Sequence, residues 1–176
     1  HEPGERGGGG EGRGLEARPY LVELTTNANL YLQTGCEAYA KKAVAALDTV
    51  AALYGPGGER VTAPAADRVR LPWPEETTSW EIQCAWDAFE ECRLIDDGRR
   101  LRYTNVMLRF TRDLQVHCSG YPGLGVDDLV SWNHTTFPLL GMHFGARYFS
   151  RYYGLPDMPE RLARARSVLL AQGRSY

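Results

Sequence analysis

Residues 30–43 read LYLQTGCEAYAKKA and place a turn between two helical patterns. Apolar residues before the turn recur every three or four positions from Tyr20, and those after it do so as far as Leu53. Gly35 is a residue that readily ends a helix, because glycine adopts the left-handed backbone conformation without steric cost. The sequence therefore predicts two helices joined in a hairpin.

The rest of the chain predicts four more helices. Apolar residues at helical spacing follow each break, and no stretch alternates cleanly enough to predict a strand. After a proline-rich loop over residues 55–76, the predicted starts are Thr78 or Ser79 for the third helix, Asp97 for the fourth, Thr135 or Thr136 for the fifth and Arg161 for the sixth. Gly154 and Pro156 should end the fifth helix. We predict an all-α protein of three helical hairpins.

The first residues differ in composition from the remainder. Residues 1–14 are rich in glycine and carry no large apolar side chain, so folding them would bury nothing against the entropy lost. We therefore expect residues 1–17 to be a flexible tail and residues 18–176 to form a single domain, which is an ordinary size for one.

Composition limits the class of protein. The hydrophobic and charged fractions, 43% and 24%, are those of an ordinary globular chain, and the net charge of −2 hides no basic block that would favour nucleic acid. No apolar stretch is long enough to span a membrane. The chain begins at His1 with no signal peptide, which suggests a mature, trimmed or recombinant start. We expect a secreted or periplasmic protein.

Four cysteines are the remaining compositional signal. Cys36, Cys84, Cys92 and Cys118 show neither the paired spacing of a structural zinc site nor a redox motif, so we predict no metal. They could form two disulfides or remain buried free thiols, and the sequence does not decide between these alternatives.

Two segments and one residue pair carry a resemblance to a known family. Residues 30–43 place an acid and a Tyr-Ala after a Thr-Gly turn, residues 141–154 read GMHFGARYFSRYYG, and Asn133-His134 precedes the second segment. This pattern resembles the (α/α) toroid domain of heparinase II/III-like and related alginate-type polysaccharide lyases, over about residues 20–172. The resemblance implies part of an (α/α) toroid and cleavage of a uronic acid polysaccharide by β-elimination.

The same resemblance implies roles for the polar pair. Asn133 would neutralise the substrate carboxylate, and His134 would be a second donor or a base, with a tyrosine handling the other proton. We expect both side chains to stand just before the fifth helix, free to face a ligand. Tyr121 is preferred as the tyrosine because of its loop position, with Tyr103 as the alternative. The mechanism requires no cofactor.

Aromatic and basic residues are candidates for binding an acidic polysaccharide or oligosaccharide. Sugar rings stack on aromatic rings, so Trp132 and Trp80 are predicted to bind substrate, whereas Trp86 fits a core-facing stripe. Arg147 and His143 are added as substrate-binding candidates. The alternatives are a surface cation for Arg147 and a core or groove histidine for His143.

Two rival functions remain open. A glycoside hydrolase would need two carboxylates, and the third helix carries Glu81, Asp87, Glu90 and Glu91, a set that a solvated helix face also produces. A non-catalytic helical module could instead bind a glycan or a partner along a concave face. Because a partial toroid leaves apolar faces uncovered, we also expect a homo-oligomer or a missing companion domain.

Overall fold

The computed structural model describes residues 11–54, 73–119 and 133–173. These ranges form six helices and no strand, which confirms the all-α prediction. Their bounds are α1 Glu11–Thr34, α2 Glu37–Tyr54, α3 Trp73–Phe89, α4 Asp97–Ser119, α5 Asn133–Tyr152 and α6 Met158–Gly173. None of these six helices is long and apolar enough to cross a membrane.

Helices α1, α3 and α5 lie side by side in one row, with α3 in the middle. Along α3 and α5 the contacts advance together, because Ser79 meets Gly141 and, two turns further on, Trp86 bonds to Tyr148. Tyr31, in the last turn of α1, packs against Phe89, the last residue of α3, so α1 and α3 end side by side and are also parallel. The three helices of this row are therefore parallel and begin at the same end.

Helices α2, α4 and α6 pack behind this row and run the other way. On α4 the order is reversed relative to α5, since Leu114 lies against Gly141 while the earlier Thr111 lies against Gly145. Helices α2 and α6 each follow their neighbours α1 and α5 after a short connection and pack against them. The result is a two-layered helical arrangement with the core between the layers.

The second predicted hairpin is the part of this topology that the sequence misjudged. Helices α3 and α4 make few contacts with each other. Among them are the hydrogen bonds of Gln83 on α3, whose side-chain amide donates to the carbonyl of Met107 and to the hydroxyl of Thr111 on α4. Helix α4 packs mainly against α5 instead. Two glycines on α5 explain this choice, because Cβ atoms at Gly141 or Gly145 would collide with side chains of α3 and α4. The close approach of three helices therefore depends on α5.

Aromatic side chains fill the centre of the core. Trp86, Phe89 and Phe110 are each 1% exposed, and Tyr103 and Phe149 are equally well buried. Trp86 packs edge-on to Tyr103 at 5.9 Å between ring centroids, which joins α3 to α4. The prediction that Trp86 belongs to the core is confirmed.

Helix ends follow the glycines as predicted. Gly35 has a φ of 67° and its amide donates to the carbonyl of Tyr31, which closes α1. Gly154 has a φ of 60° and ends α5 in the same left-handed conformation. A residue with a Cβ atom would be strained in this backbone conformation, so glycine is favoured at both positions.

Helix starts depart from the predictions. Helix α1 begins at Glu11, so residues 11–17 belong to a helix rather than to the predicted tail; residues 1–10 lie outside the described ranges. Helix α3 begins at Trp73, inside the predicted loop, of which residues 55–72 are not described. A growing helix adds a hydrogen bond with each residue, so a helix can begin before the first apolar position that a pattern detects.

Three cysteines can be assigned. Cys36, Cys84 and Cys92 are free thiols, and the side chain of Cys118 lies outside the described residues. Two disulfides would need all four cysteines, so this alternative is wrong. The buried-thiol interpretation fits Cys92, which is 5% exposed, but not the exposed Cys36.

Candidate functional site

A groove of about 350 Å³ runs between α1 and α3 on the side of the row that faces away from the second layer. Trp80 provides its largest ring. The other lining residues are mostly polar, and they are Thr25, Thr26, Asn29, Glu81, Cys84 and Ala85. An aromatic surface beside hydroxyl, amide and carboxylate groups can stack a sugar ring and bond to its hydroxyls.

Arg147 lies on α5, the helix next to α3. Its side chain is exposed, and the guanidinium carbon lies 5.9 Å from the ring centre of Phe144, one turn earlier. Its charge lowers the pKa of Cys84, one of the groove residues. Of the predicted substrate-binding residues, Trp80 therefore lines the groove and Arg147 lies on the adjacent helix.

His143 lies one turn before Arg147 on α5. Burial lowers its pKa, and the charges of Arg166 on α6 and of Arg147 lower it further, so the imidazole is neutral near pH 7. Its Nδ1 is buried and has no hydrogen-bond partner. The core-or-groove interpretation fits this half-buried ring, which sits between the Arg147 side of α5 and helix α6.

Cys84 is the nucleophile candidate within the groove lining. Burial raises the pKa of its thiol, Asp87 and Glu81 raise it further, and only Arg147 opposes them. The thiol is therefore protonated at neutral pH and is a poor nucleophile. The groove offers stacking and hydrogen bonding rather than covalent chemistry.

The predicted catalytic residues lie at the beginning of α5. The helix starts at Asn133, so the expectation that Asn133 and His134 precede the helix is wrong; both belong to its first turn. A helix can begin here because Pro138 removes only a hydrogen bond within the first turns. The structure describes only the backbone of Asn133 and His134, so their side chains cannot be placed. Tyr121 and Trp132 lie outside the described residues.

Tyr103, the alternative catalytic tyrosine, does not approach that end of the molecule. Its hydroxyl donates to Asp48 of α2 at 2.6 Å, and burial together with this bond raises its pKa. Because α4 runs antiparallel to α5, Tyr103 lies level with the last turn of α5. That is about 30 Å from Asn133 along the helix axis.

The carboxylates of α3 do not form a pair across the groove. Glu81 lines the groove, whereas Glu90 points towards α5 and accepts a hydrogen bond from Tyr148. Burial raises the pKa of Glu90, and Trp86 donates to the same Tyr148 hydroxyl at 3.2 Å. Glu91 is exposed, as a solvated helix face requires.

Sequence reasoning missed the contribution of α1 to the groove. Thr25, Thr26 and Asn29 are absent from the predicted site residues. The signal was the run TTNAN at residues 25–29, which sets polar residues in the middle of a helix where they are unfavourable unless they bond to something. Thr25 and Asn27 bond to backbone carbonyls of their own helix, while Thr26 and Asn29 are exposed at the groove.

No protein-family model, no curated protein and no solved structure matches this chain. Among the described residues, no group of three or more His, Cys, Asp or Glu side chains is arranged to hold a metal ion. The function must therefore be argued from the groove and from the resemblance at residues 30–43, 133–134 and 141–154.

Proposed function

We propose that this protein binds an acidic polysaccharide along the α1–α3 groove and cleaves it by β-elimination at the end where α1, α3 and α5 begin. The observation that carries the proposal is the α1–α3 groove, in which the Trp80 ring lies among polar side chains, with the exposed cation Arg147 on the neighbouring helix α5. A ring for stacking and a cation for a carboxylate are the two groups that a uronic acid chain needs. The partial (α/α) toroid belongs to the same proposal.

The direction of the helices supports an anionic substrate. Each helix carries a partial positive charge at its first turn, and the parallel row directs these charges to one end. Arg147 adds a full positive charge further along α5. A polymer with a carboxylate on every sugar gains from both, whereas a neutral glycan gains from neither.

The proposed reaction starts with the proton next to the uronate carboxylate. His134 removes this proton while the Asn133 amide donates to the carboxylate, which accepts charge as an enolate-like species forms. The electron pair then forms a carbon–carbon double bond and expels the glycosidic oxygen. Tyr121 gives its proton to that oxygen, so that two shorter chains leave, one of them unsaturated.

The observations weigh against the hydrolase. Of the four predicted carboxylates, Glu81 lines the groove, whereas Glu90 follows α3 and is bonded to Tyr148, so these two do not face one bond. Binding without cleavage remains the second candidate, since the groove alone is sufficient for it.

The test follows the ultraviolet absorbance of unsaturated uronates while the protein meets alginate, heparan sulfate, hyaluronan and pectate. Asn133→Ala and His134→Ala should each lower the rate by roughly 100-fold or more, the usual effect of removing one transition-state donor. Thr136→Ala, in the same first turns of α5, is the control for helix disruption. Silence of the folded wild-type protein on all four polymers would contradict cleavage and leave binding as the function.

A further inference from the structure

A second cavity, of about 360 Å³, lies between α4 and the last turn of α5. It is at the opposite end of the row from the first turn of α5, because it involves Phe149 and Tyr153 rather than residues near Asn133. A cavity of this size is at the lower end of the range that small-molecule sites occupy. Leu101, Leu108, Phe149, Tyr153 and Leu155 form most of its walls. Arg100 and Thr104 also line it, and the exposed Asp97 and Asn105 complete the lining.

Two polar groups in the cavity wall lack the partners that buried groups normally have. Thr104 is 6% exposed and its hydroxyl makes no hydrogen bond, although a buried hydroxyl without a partner is costly. The Nε of Arg100, one turn earlier on the same face of α4, is also buried and without a partner. Both residues line the cavity.

The other atoms of Arg100 are only loosely held. One terminal nitrogen lies 3.8 Å from the carboxylate of Glu91, whose side chain is 86% exposed, and the other lies 3.5 Å from the carbonyl of Ile95. An arginine presents Nε and a terminal nitrogen side by side, in a spacing that matches the two oxygens of a carboxylate. The hydroxyl of Thr104 can donate a further hydrogen bond to the same group.

The mouth of the cavity is apolar and open to solvent. Leu101 is 66% exposed and Tyr153 is 47% exposed, which is unusual for large apolar side chains beside a cavity. A ligand with an apolar body would cover both while its polar head reached Arg100.

We propose that this cavity binds a small amphipathic carboxylate, whose carboxylate bonds to Arg100 and Thr104 and whose aliphatic or aromatic body packs between Leu108 and Phe149. This site is separate from the α1–α3 groove and does not depend on the lyase proposal. A bound carboxylate satisfies the two buried donors, and the apolar walls exclude water from them.

The experiment titrates the folded protein with 3-phenylpropionate by isothermal calorimetry, and with 3-phenylpropanamide, which has the same shape without the charge. Thr104→Val removes the hydroxyl at constant shape and should weaken binding of the acid about fivefold, the value of one hydrogen bond. Arg100→Met keeps an apolar stem and should weaken it tenfold or more. Thr49→Val, which removes an exposed hydroxyl from α2, should leave the affinity unchanged.

The unfolding temperature of Thr104→Val provides a second measurement beside its affinity. Because the Thr104 hydroxyl has no partner in the free protein, Thr104→Val should unfold at the same temperature as the wild type or higher. Weaker binding by this stable variant and by the amide supports the proposal. Equal affinity of Thr104→Val and the wild type, equal affinity for acid and amide, or no binding up to ~10 mM acid would overturn it.

Discussion

At the residue scale, single contacts decide how closely the helices approach. A Cβ added at Gly145 would stand 2.1 Å from the Thr111 hydroxyl oxygen and 3.1 Å from two carbons of the same side chain. Thr111 cannot move away freely, because it bonds to the carbonyl of Met107 and accepts from Gln83. The absence of a side chain at Gly145 is thus a requirement of the α4–α5 interface.

We expect Gly145→Ala to lower the free energy of unfolding by about 1–3 kcal/mol, the usual cost of overpacking a core. In a Thr111→Ala background the same change should cost much less, since the hydroxyl at 2.1 Å is gone and only the Thr111 Cβ position at 3.1 Å remains. Gly98→Ala is the control, because its Cβ would meet only ordinary contact at 3.4 Å. Urea unfolding of the four proteins measures the coupling, and equal costs in both backgrounds would contradict the steric account.

Glu90 predicts a pH dependence of stability. Burial raises the pKa of its carboxyl above the ordinary value, so the folded state holds the proton more tightly than the unfolded state does. The stabilisation is complete below the unfolded pKa and is lost as the pH rises through the folded pKa. Relative to Glu90→Gln, the wild type should therefore lose stability as the pH rises above about 4, the ordinary pKa of a glutamate.

Thermal unfolding across that range, with Glu91→Gln as the exposed neighbouring control, measures this difference. Glutamine still offers Tyr148 an acceptor, so the two proteins differ mainly in titration. Parallel curves for the wild type and Glu90→Gln would show that the carboxyl does not titrate differently in the folded protein.

At the element scale, the sequence predicted helix ends better than helix starts. Gly35 and Gly154 end helices because their positive φ angles exclude other residues, and such a signal is local enough to read. The start of a helix depends on which side chain accepts hydrogen bonds from the unpaired backbone N–H groups of its first turn. At α4 the Arg99 amide donates to Asp96 at 2.8 Å, so the predicted cap, Asp97, is off by one residue.

Asp96→Ala should therefore lower the free energy of unfolding by about 1 kcal/mol, the usual value of an N-cap. Asp97→Ala removes a carboxylate of the same type from the next position, where it makes no capping bond, and should cost clearly less. Chemical denaturation of both variants measures the difference. A larger loss for Asp97→Ala would assign the cap to Asp97 after all.

At the scale of the whole molecule, packing order was beyond sequence reasoning. Six apolar stripes predict six helices, yet a stripe does not say which neighbour covers it. The α3–α4 hairpin was expected from chain order, whereas Gly141 and Gly145 direct both helices to α5. For the same reason Trp80 and Arg147 were predicted separately, and only the packing order shows that they lie on adjacent helices.

Self-association also belongs to this scale and stays a prediction. The outermost helices of the arrangement expose large apolar side chains, Val22 and Leu32 on α1 and Leu170 on α6. We expect a second copy of the chain to cover α1, so that sedimentation velocity finds a dimer and Val22→Asp shifts it towards the monomer. A wild-type monomer at all concentrations would contradict this expectation.

The central claim is that one face of the helical row binds an acidic glycan, and affinity for defined oligouronates tests it most directly. We predict that the wild type binds them, that Trp80→Ala and Arg147→Ala each weaken binding tenfold or more, and that only the Arg147→Ala loss shrinks at high salt. Arg164→Ala, which removes an exposed arginine from α6 in the second layer, should bind like the wild type. Unchanged affinity in both Trp80→Ala and Arg147→Ala would contradict the account.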